Sequence, residues 1–186
     1  MVVDVHGSLR IGSATLLGGY RLSWQTGAKV LWLPHLATEF VLEGADTRVT
    51  GVIETGAQGI ALSNASGRAG PGLAGMIPSA WACDMTARVN DVSFNWGWRS
   101  ASGSGDVTTP QGSCSKEDRE ITLPPLALSL GDMSRDALIT LTSDATPLAT
   151  VLVRRERQLD IAIQPAAADV FPQLPRAGPI MLQLPF

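Results

Sequence analysis

Covalent, redox or metal chemistry in this chain would have to draw on two cysteines and two histidines. Cys83 and Cys114 stand thirty-one positions apart with no metal or redox motif around either. Paired as a disulfide, they would tether the Gly/Ser-rich stretch of residues 100–119 to the strand that opens at Cys83. Closing a loop of about 32 residues is worth roughly 3.7 kcal/mol in chain entropy. The competing reading is two unrelated buried thiols, but Cys114 lies in a polar stretch that offers little apolar cover. A disulfide is expected, and with it an oxidising compartment. His6 and His35 could join Asp4 or Glu39 in a metal site or an acid–base pair, yet neither stands at a ligand spacing. No G-x-S-x-G elbow presents a serine, and no serine has a partner histidine nearby in sequence. Gly7, Gly12, Gly18 and Gly19 do not fit G-x-x-x-x-G-K-[ST] and are read as strand breakers. The chain is expected to be non-enzymatic, with no catalytic, cofactor-binding or metal residues.

Composition narrows the partners. Fourteen basic residues, twelve of them Arg, against seventeen acidic ones give a net charge of −3. Nucleic-acid binding normally needs a basic excess, so that class is set aside. A chain of 186 residues is one domain's length and can bury a sizeable core. No apolar run approaches the ~20 residues of a membrane span, and no signal peptide precedes Val2.

The elements that must position these residues alternate with period two. Val3 and Val5, Leu9 and Ile11, and Tyr20 to Trp24 place apolar side chains on one sheet face. Glu39–Leu42 and Arg48–Glu54 continue the pattern around a Gly44-Ala45-Asp46 turn, and Ile60–Asn64 returns after Thr55–Gly59. Pro71 opens a helix of one to two turns with Leu73, Met76 and Ile77 on one face, which Pro78 should end. Cys83–Phe94 is read as a strand of mixed parity, and 100–119 as a mobile loop. Ile121–Leu130 is a strand pair or one long bent strand, interrupted by Pro124-Pro125, which imply an edge or a bulge. Ala137–Thr142, Ala149–Val153 and Leu159–Ile163 follow, with Arg154–Arg157 at the last hairpin tip. A short helix over Ala166–Leu174 and a terminal strand over Ile180–Leu184 complete the chain.

Ten to twelve short strands with two helical fragments predict a mainly β, antiparallel, meander-type curved sheet in one domain over 1–186. Two β-β-α-like units, at 47–69 and 149–174, suggest halves of about 1–80 and 81–186. Of the five Trp, most are assigned to the core. Trp96 and Trp98, two apart on one face, would also suit a greasy concave surface. Phe186 after alternating residues suits an outer-membrane barrel strand, but strands this short, with few aromatics, do not fit one.

The run Gly12-Ser13-Ala14-Thr15-Leu16 followed by Gly19-Tyr20-Arg21-Leu22-Ser23-Trp24 resembles the opening of the type II secretion system protein N family. Thr47–Val52 and Gly59–Arg68 resemble that family's next hairpin and its "L-x-x-x-x-G" close. The similarity is best from about residue 8 to 80 and thin beyond 95. It implies a non-enzymatic accessory of the bacterial type II secretion machinery, a periplasmic scaffold anchored in the inner membrane by one helix. Its partners would be inner-membrane platform proteins or the outer-membrane secretin. The chain departs from the family in lacking the anchoring helix, which suits an excised periplasmic portion with Met1 supplied by cloning. A similar strand–Gly–strand grammar occurs in AsmA- and TamB-like periplasmic proteins and implies a lipid-binding or lipid-transfer module instead. An open apolar trough on the concave face would separate the second class from the first.

Overall fold

A computed structural model describes residues 2–30, 34–57, 59–74, 81–116 and 118–185. The first half carries β1 (Val2–Gly7), β2 (Ile11–Leu16), β3 (Arg21–Val30), β4 (Pro34–Glu43), β5 (Arg48–Gly56), β6 (Gly59–Ala69) and α1 (Pro71–Ala74). Next come β7 (Ala82–Cys83), β8 (Ala87–Gly97), β9 (Ala101–Thr109), β10 (Gly112–Lys116), β11 (Arg119–Leu123) and β12 (Leu126–Met133). The last elements are β13 (Asp136–Ser143), β14 (Thr146–Arg154), β15 (Gln158–Ile163), α2 (Ala167–Val170) and β16 (Ile180–Pro185).

Thirteen strands form one antiparallel meander in the order β1-β2-β3-β4-β5-β6-β8-β9-β12-β13-β14-β15-β16. The remaining three form a small sheet, β11-β10-β7, outside it. The large sheet is open, since β1 and β16 each pair on one side only. The expected curved antiparallel meander is therefore the architecture, and among the described residues no helix is long and apolar enough to cross a membrane.

Cross-strand partners share a face, so the register assigns every side chain to one side. One face collects Trp24 and Phe40, Leu22 and Leu42, Ile53 and Leu62, then Leu62 and Phe94, Ile60 and Trp96. The same face continues through Val153 and Leu159, then Ile161 and Leu182. The other face carries Ser23, Gln25, Glu39, Glu54, Gln158, Asp160 and Gln183. The sheet is amphipathic as a whole.

It curls toward its apolar face, for two reasons. Small residues line the inside of the bend: Ala101 and Ala137 are fully buried, and a Cβ on Gly103 would press on Leu130 Cβ at 3.2 Å. Around that pivot Phe94 and Trp96 pack with Ile139, Val151, Val153 and Leu159 into the main core. Second, ladder irregularities cross neighbouring strands at about one height. They lie between Thr50 and Val52 on β5, Leu62 and Gly67 on β6, and Asn90 and Ser93 on β8. Bulges bend a strand and increase its twist, and a row of them bends the sheet. At Gly105 on β9, beside the β8 bulge, φ is +96° and an added Cβ would meet the carbonyls of Asn90 and Asp91, so only Gly fits.

Several expectations are corrected. Residues 100–119 are not a loop: they hold β9, β10 and the turn between them. Ser and Gly read as a linker by composition, but β9 sits between β8 and β12, and the tight bend there demands small side chains. The strand expected over Cys83–Phe94 is divided, with Cys83 going to the small sheet while β8 begins at Ala87. Of the two readings of Ile121–Leu130, two strands is the one found rather than one bent strand; they lie in different sheets, and Pro124-Pro125 marks the passage from small sheet to large. Among the described residues sixteen strands replace ten to twelve, and β3, β4, β6 and β8 run to 10 or 11 residues rather than being short. Of the glycines read as strand breakers, Gly18 and Gly19 do lie between strands, but Gly12 sits inside β2, paired with Gly7 on one side and Trp24 on the other. The first helix starts at Pro71 as expected and is described to Ala74; its expected continuation through Met76 and Ile77 to Pro78 lies outside the described residues. The second ends at Val170 rather than Leu174, with Pro172 just beyond.

Candidate functional site

Because the sheet curls, strands far apart in its order face each other across an apolar cavity of about 480 Å³. Ile53 of β5, Ile60, Ala61 and Leu62 of β6, and Phe94 and Trp96 of β8 form one wall. Val153 of β14 and Leu159 of β15 form the other. No polar side chain lines it. Ile60 is 53% exposed, and Leu36, Ile53, Leu182 and Leu184 on the same face are also exposed. Large apolar side chains left in solvent along one continuous concave face mark a binding surface rather than a finished core.

At the turn end of this cavity lies a smaller one of about 190 Å³, lined by Gly59, Trp96, Gly97, Trp98, Arg155 and Arg157. The two share the Trp96 indole. The guanidinium of Arg157 stands 5.9 Å from the Trp96 ring centroid, a cation–π distance. Trp98 is 79% exposed, so of the two indoles assigned to one face, one packs on the core and the other projects into solvent. A third cavity, of about 840 Å³, lies between Trp81, the β10–β11 hairpin and Pro172-Gln173; its charges are mixed, with Lys116 and Arg119 beside Asp118 and Glu120.

The cysteines are joined. Cys83 and Cys114 are cross-strand partners of β7 and β10 and form a disulfide. The polar sequence around Cys114 misleads about its environment: Cys114 is buried, and it lies in β10 rather than in a mobile loop. Next to it the Asp84 carboxylate accepts from the Ser113 amide at 2.7 Å and from the Ser113 hydroxyl at 3.2 Å. The bond therefore holds the small sheet together. It also places the folded chain in an oxidising compartment.

The histidines do not build a site. His6 Nε2 lies 2.7 Å from Asp4 Oδ2 on the exposed edge strand β1. Sequence reasoning found nothing to place the two together; the signal that it passed over is that residues two apart on a strand share a face. The register also places Ser13 opposite His6, yet no hydrogen bond joins the two, and both His6 and Asp4 are largely exposed. His35 pairs in register with Gly56 and Lys29, away from Glu39's partners Gln25 and Val52. Among the described residues no group of three His, Cys, Asp or Glu could hold a metal ion.

At the opposite end of the sheet Tyr20 is buried, and its hydroxyl donates to Asp46 Oδ1 at 2.8 Å. Asp46 Oδ2 accepts from the Gly72 amide at 2.9 Å, and the Thr47 hydroxyl both donates to Asp46 and accepts from the Gly70 amide. The Gly72 amide bond and the Tyr20 phenol hold the Asp46 carboxyl below its usual range, while burial and then the carboxylate push the Tyr20 phenol up. A Cβ on Gly72 would collide with the Tyr20 hydroxyl, which is why the chain enters α1 through glycines. This cluster is structural; it ties α1 to the β4–β5 turn.

Family models, curated proteins and solved structures were all compared with the chain, and none matches.

Proposed function

We propose that this protein is a non-enzymatic module of the cell envelope that shelters the acyl chain of a lipid in the trough of its curled sheet. One observation carries the proposal: the concave face is apolar from β3 to β16 and is left open between β6 and β15. Side chains of the sheet fill the bend at Ala101 and Ala137 but not the space beyond Phe94 and Trp96. An enclosed core would have no reason to leave Ile60 half in water. The disulfide fits work in the periplasm, where such modules meet lipid.

Native mass spectrometry of protein purified from envelopes in mild detergent is expected to show a co-purified phospholipid. Ile60→Asp places a carboxylate on the trough wall at an already exposed position. It is expected to cut lipid occupancy at least about tenfold with little loss of stability, because a charge in an apolar site costs more than one decade of affinity. Wild-type protein that carries no lipid and takes up none from vesicles would end this proposal.

A second reading is favoured by the sheet's free edges and by the resemblance to the type II secretion protein N family. In it the protein joins secretion components by strand addition. β16 is the last strand, its outer side is unpaired, and all but Ile180 of its described residues are exposed. An added strand would gain affinity from backbone hydrogen bonds with little demand on side chains. Deleting residues 178–186 is expected to abolish capture of inner-membrane platform proteins or secretin in pull-downs while shifting the melting temperature by only a few degrees. Undiminished capture removes this edge as the docking site, and collapse of the fold assigns β16 a structural role.

A further inference from the structure

The meander places its hairpin turns alternately at two ends of the sheet, and the two ends differ in charge. The turns at 8–10, 98–100, 134–135 and 155–157 share one end and carry Arg10, Arg99, Arg135, Arg155 and Arg157 against one carboxylate, Glu156. The hairpin turns at the other end, 17–20, 44–47 and 144–145, carry Asp46 and Asp144 and no basic residue. In a chain of net charge −3 this is a segregation of charge, and the basic end is the one onto which the trough opens at Trp96.

Within that rim, Arg157 is set apart by its backbone and its contacts. Its φ is +64°, in the left-handed region where Gly or Asn is the low-cost residue. No carboxylate among the described residues pairs with it, and its guanidinium lies over the Trp96 face. By contrast Arg154 is bound to Asp160 at 2.5 Å and Arg155 to Glu156 at 2.6 Å. A cation held over an indole, in a backbone conformation that disfavours it, at the mouth of an apolar cavity, is a pattern expected of a ligand site.

We infer that the Arg157–Arg155 rim binds the phosphate of an anionic phospholipid whose acyl chain occupies the trough. The inference rests on the lipid reading above and names its ligand class. Arg157 supplies an uncompensated guanidinium for the phosphate oxygens, and Arg155 can turn from Glu156 to share it. The indoles of Trp96 and Trp98 sit where headgroup meets chain, the level at which an amphipathic ring is most at home. A zwitterionic lipid brings its own cation to the same phosphate and meets the basic rim with no net charge, so the site discriminates by headgroup.

The test is calorimetric titration of the full chain with short-chain phosphatidylglycerol, short-chain phosphatidylcholine and inorganic phosphate, the lipids below their micellar concentrations. Wild type is expected to prefer the glycerol lipid by about tenfold, the value of one added charge-assisted contact. Arg157→Asn suits the left-handed backbone. It is expected to melt no lower than wild type, yet to bind the two lipids equally. Ile60→Asp is expected to lose both. Equal wild-type affinity for the two lipids overturns the headgroup inference and leaves the trough intact as a lipid site. A preference that survives in Arg157→Asn and in Arg155→Gln/Arg157→Asn also overturns it. Binding of neither lipid removes both proposals together. Inorganic phosphate bound as tightly as the glycerol lipid would mark a simple anion site and likewise overturn the inference.

Discussion

Replacing Cys83 and Cys114 together by serine is expected to lower the protein's stability by about 3.7 kcal/mol, the loop-closure term for about 32 residues. In a chain of this size that corresponds to a fall in melting temperature of roughly 7–15 °C. The effect should be large because β7 is two residues long and meets the rest of the small sheet only through β10. Without the bond, the Asp84–Ser113 hydrogen bonds and the short ladder are left to hold β7 to β10. Thermal unfolding with and without reductant measures the difference, and alkylation followed by intact-mass analysis assigns it. Two thiols that react freely in unreduced protein, or a double variant that melts with wild type, would contradict the bond or its weight.

Tyr20→Ala is expected to cost about 3–5 kcal/mol, the range for removing a buried aromatic side chain. Tyr20 is 4% exposed and its ring lies against Gly18, Gly44 and Gly72, which have no side chains that could move in to fill the space. Urea unfolding at neutral pH gives the number; a loss below about 1 kcal/mol would mean the turn repacks. Tyr20→Phe keeps the ring and removes only the hydroxyl, so its loss should be smaller and pH-dependent. The sign follows from the partner. The Asp46 carboxyl is held below its ordinary value of 3.8 by the Gly72 amide and then by Tyr20. A carboxylate depressed in the folded state contributes stability that is fully present above the ordinary range and is lost as pH falls through the lowered folded value. The gap between wild type and Tyr20→Phe should therefore close on acidification below about pH 4. A gap that widens there would reverse the assignment.

The alternating strands on either side of the bend were legible in sequence because their neighbours only had to bury one face. Arg48–Glu54 and Leu159–Ile163 show their parity in the letters alone. So did the Cys83–Cys114 pair, since an isolated pair in an otherwise cysteine-free chain has few alternatives. The strand Ala101–Thr109 was not legible, because its Gly and Ser answer to Ala137 and Leu130, which are distant in sequence. The trough failed for the same reason. Ile60, Phe94 and Leu159 each look like ordinary inward residues, and only the curl, set by small side chains and by bulges at Asn64 and Asp91, decides that they face each other across open space. The basic rim was hidden in a different way. Arg10, Arg99, Arg135 and Arg157 are scattered along the chain, and only a meander gathers alternate turns at one end.

The strand order also governs how such a chain can fold as it is delivered. All but two pairings in the large sheet join strands consecutive in sequence, the exceptions being β6 with β8 and β9 with β12. Each hairpin closes a short loop at little entropic cost, so β1 to β6 can assemble in the order in which they emerge, every new strand templated by the last. Across β1 to β6 the growing edge is always the newest strand, whereas β7 has to wait for β10 before its backbone is paired. Each exception skips an excursion into the small sheet, the first carrying Cys83 in β7 and the second its disulfide partner Cys114 in β10. Closure of that bond therefore belongs late, after β10 has arrived, when the N-terminal portion of the sheet already stands to receive β8 and β9.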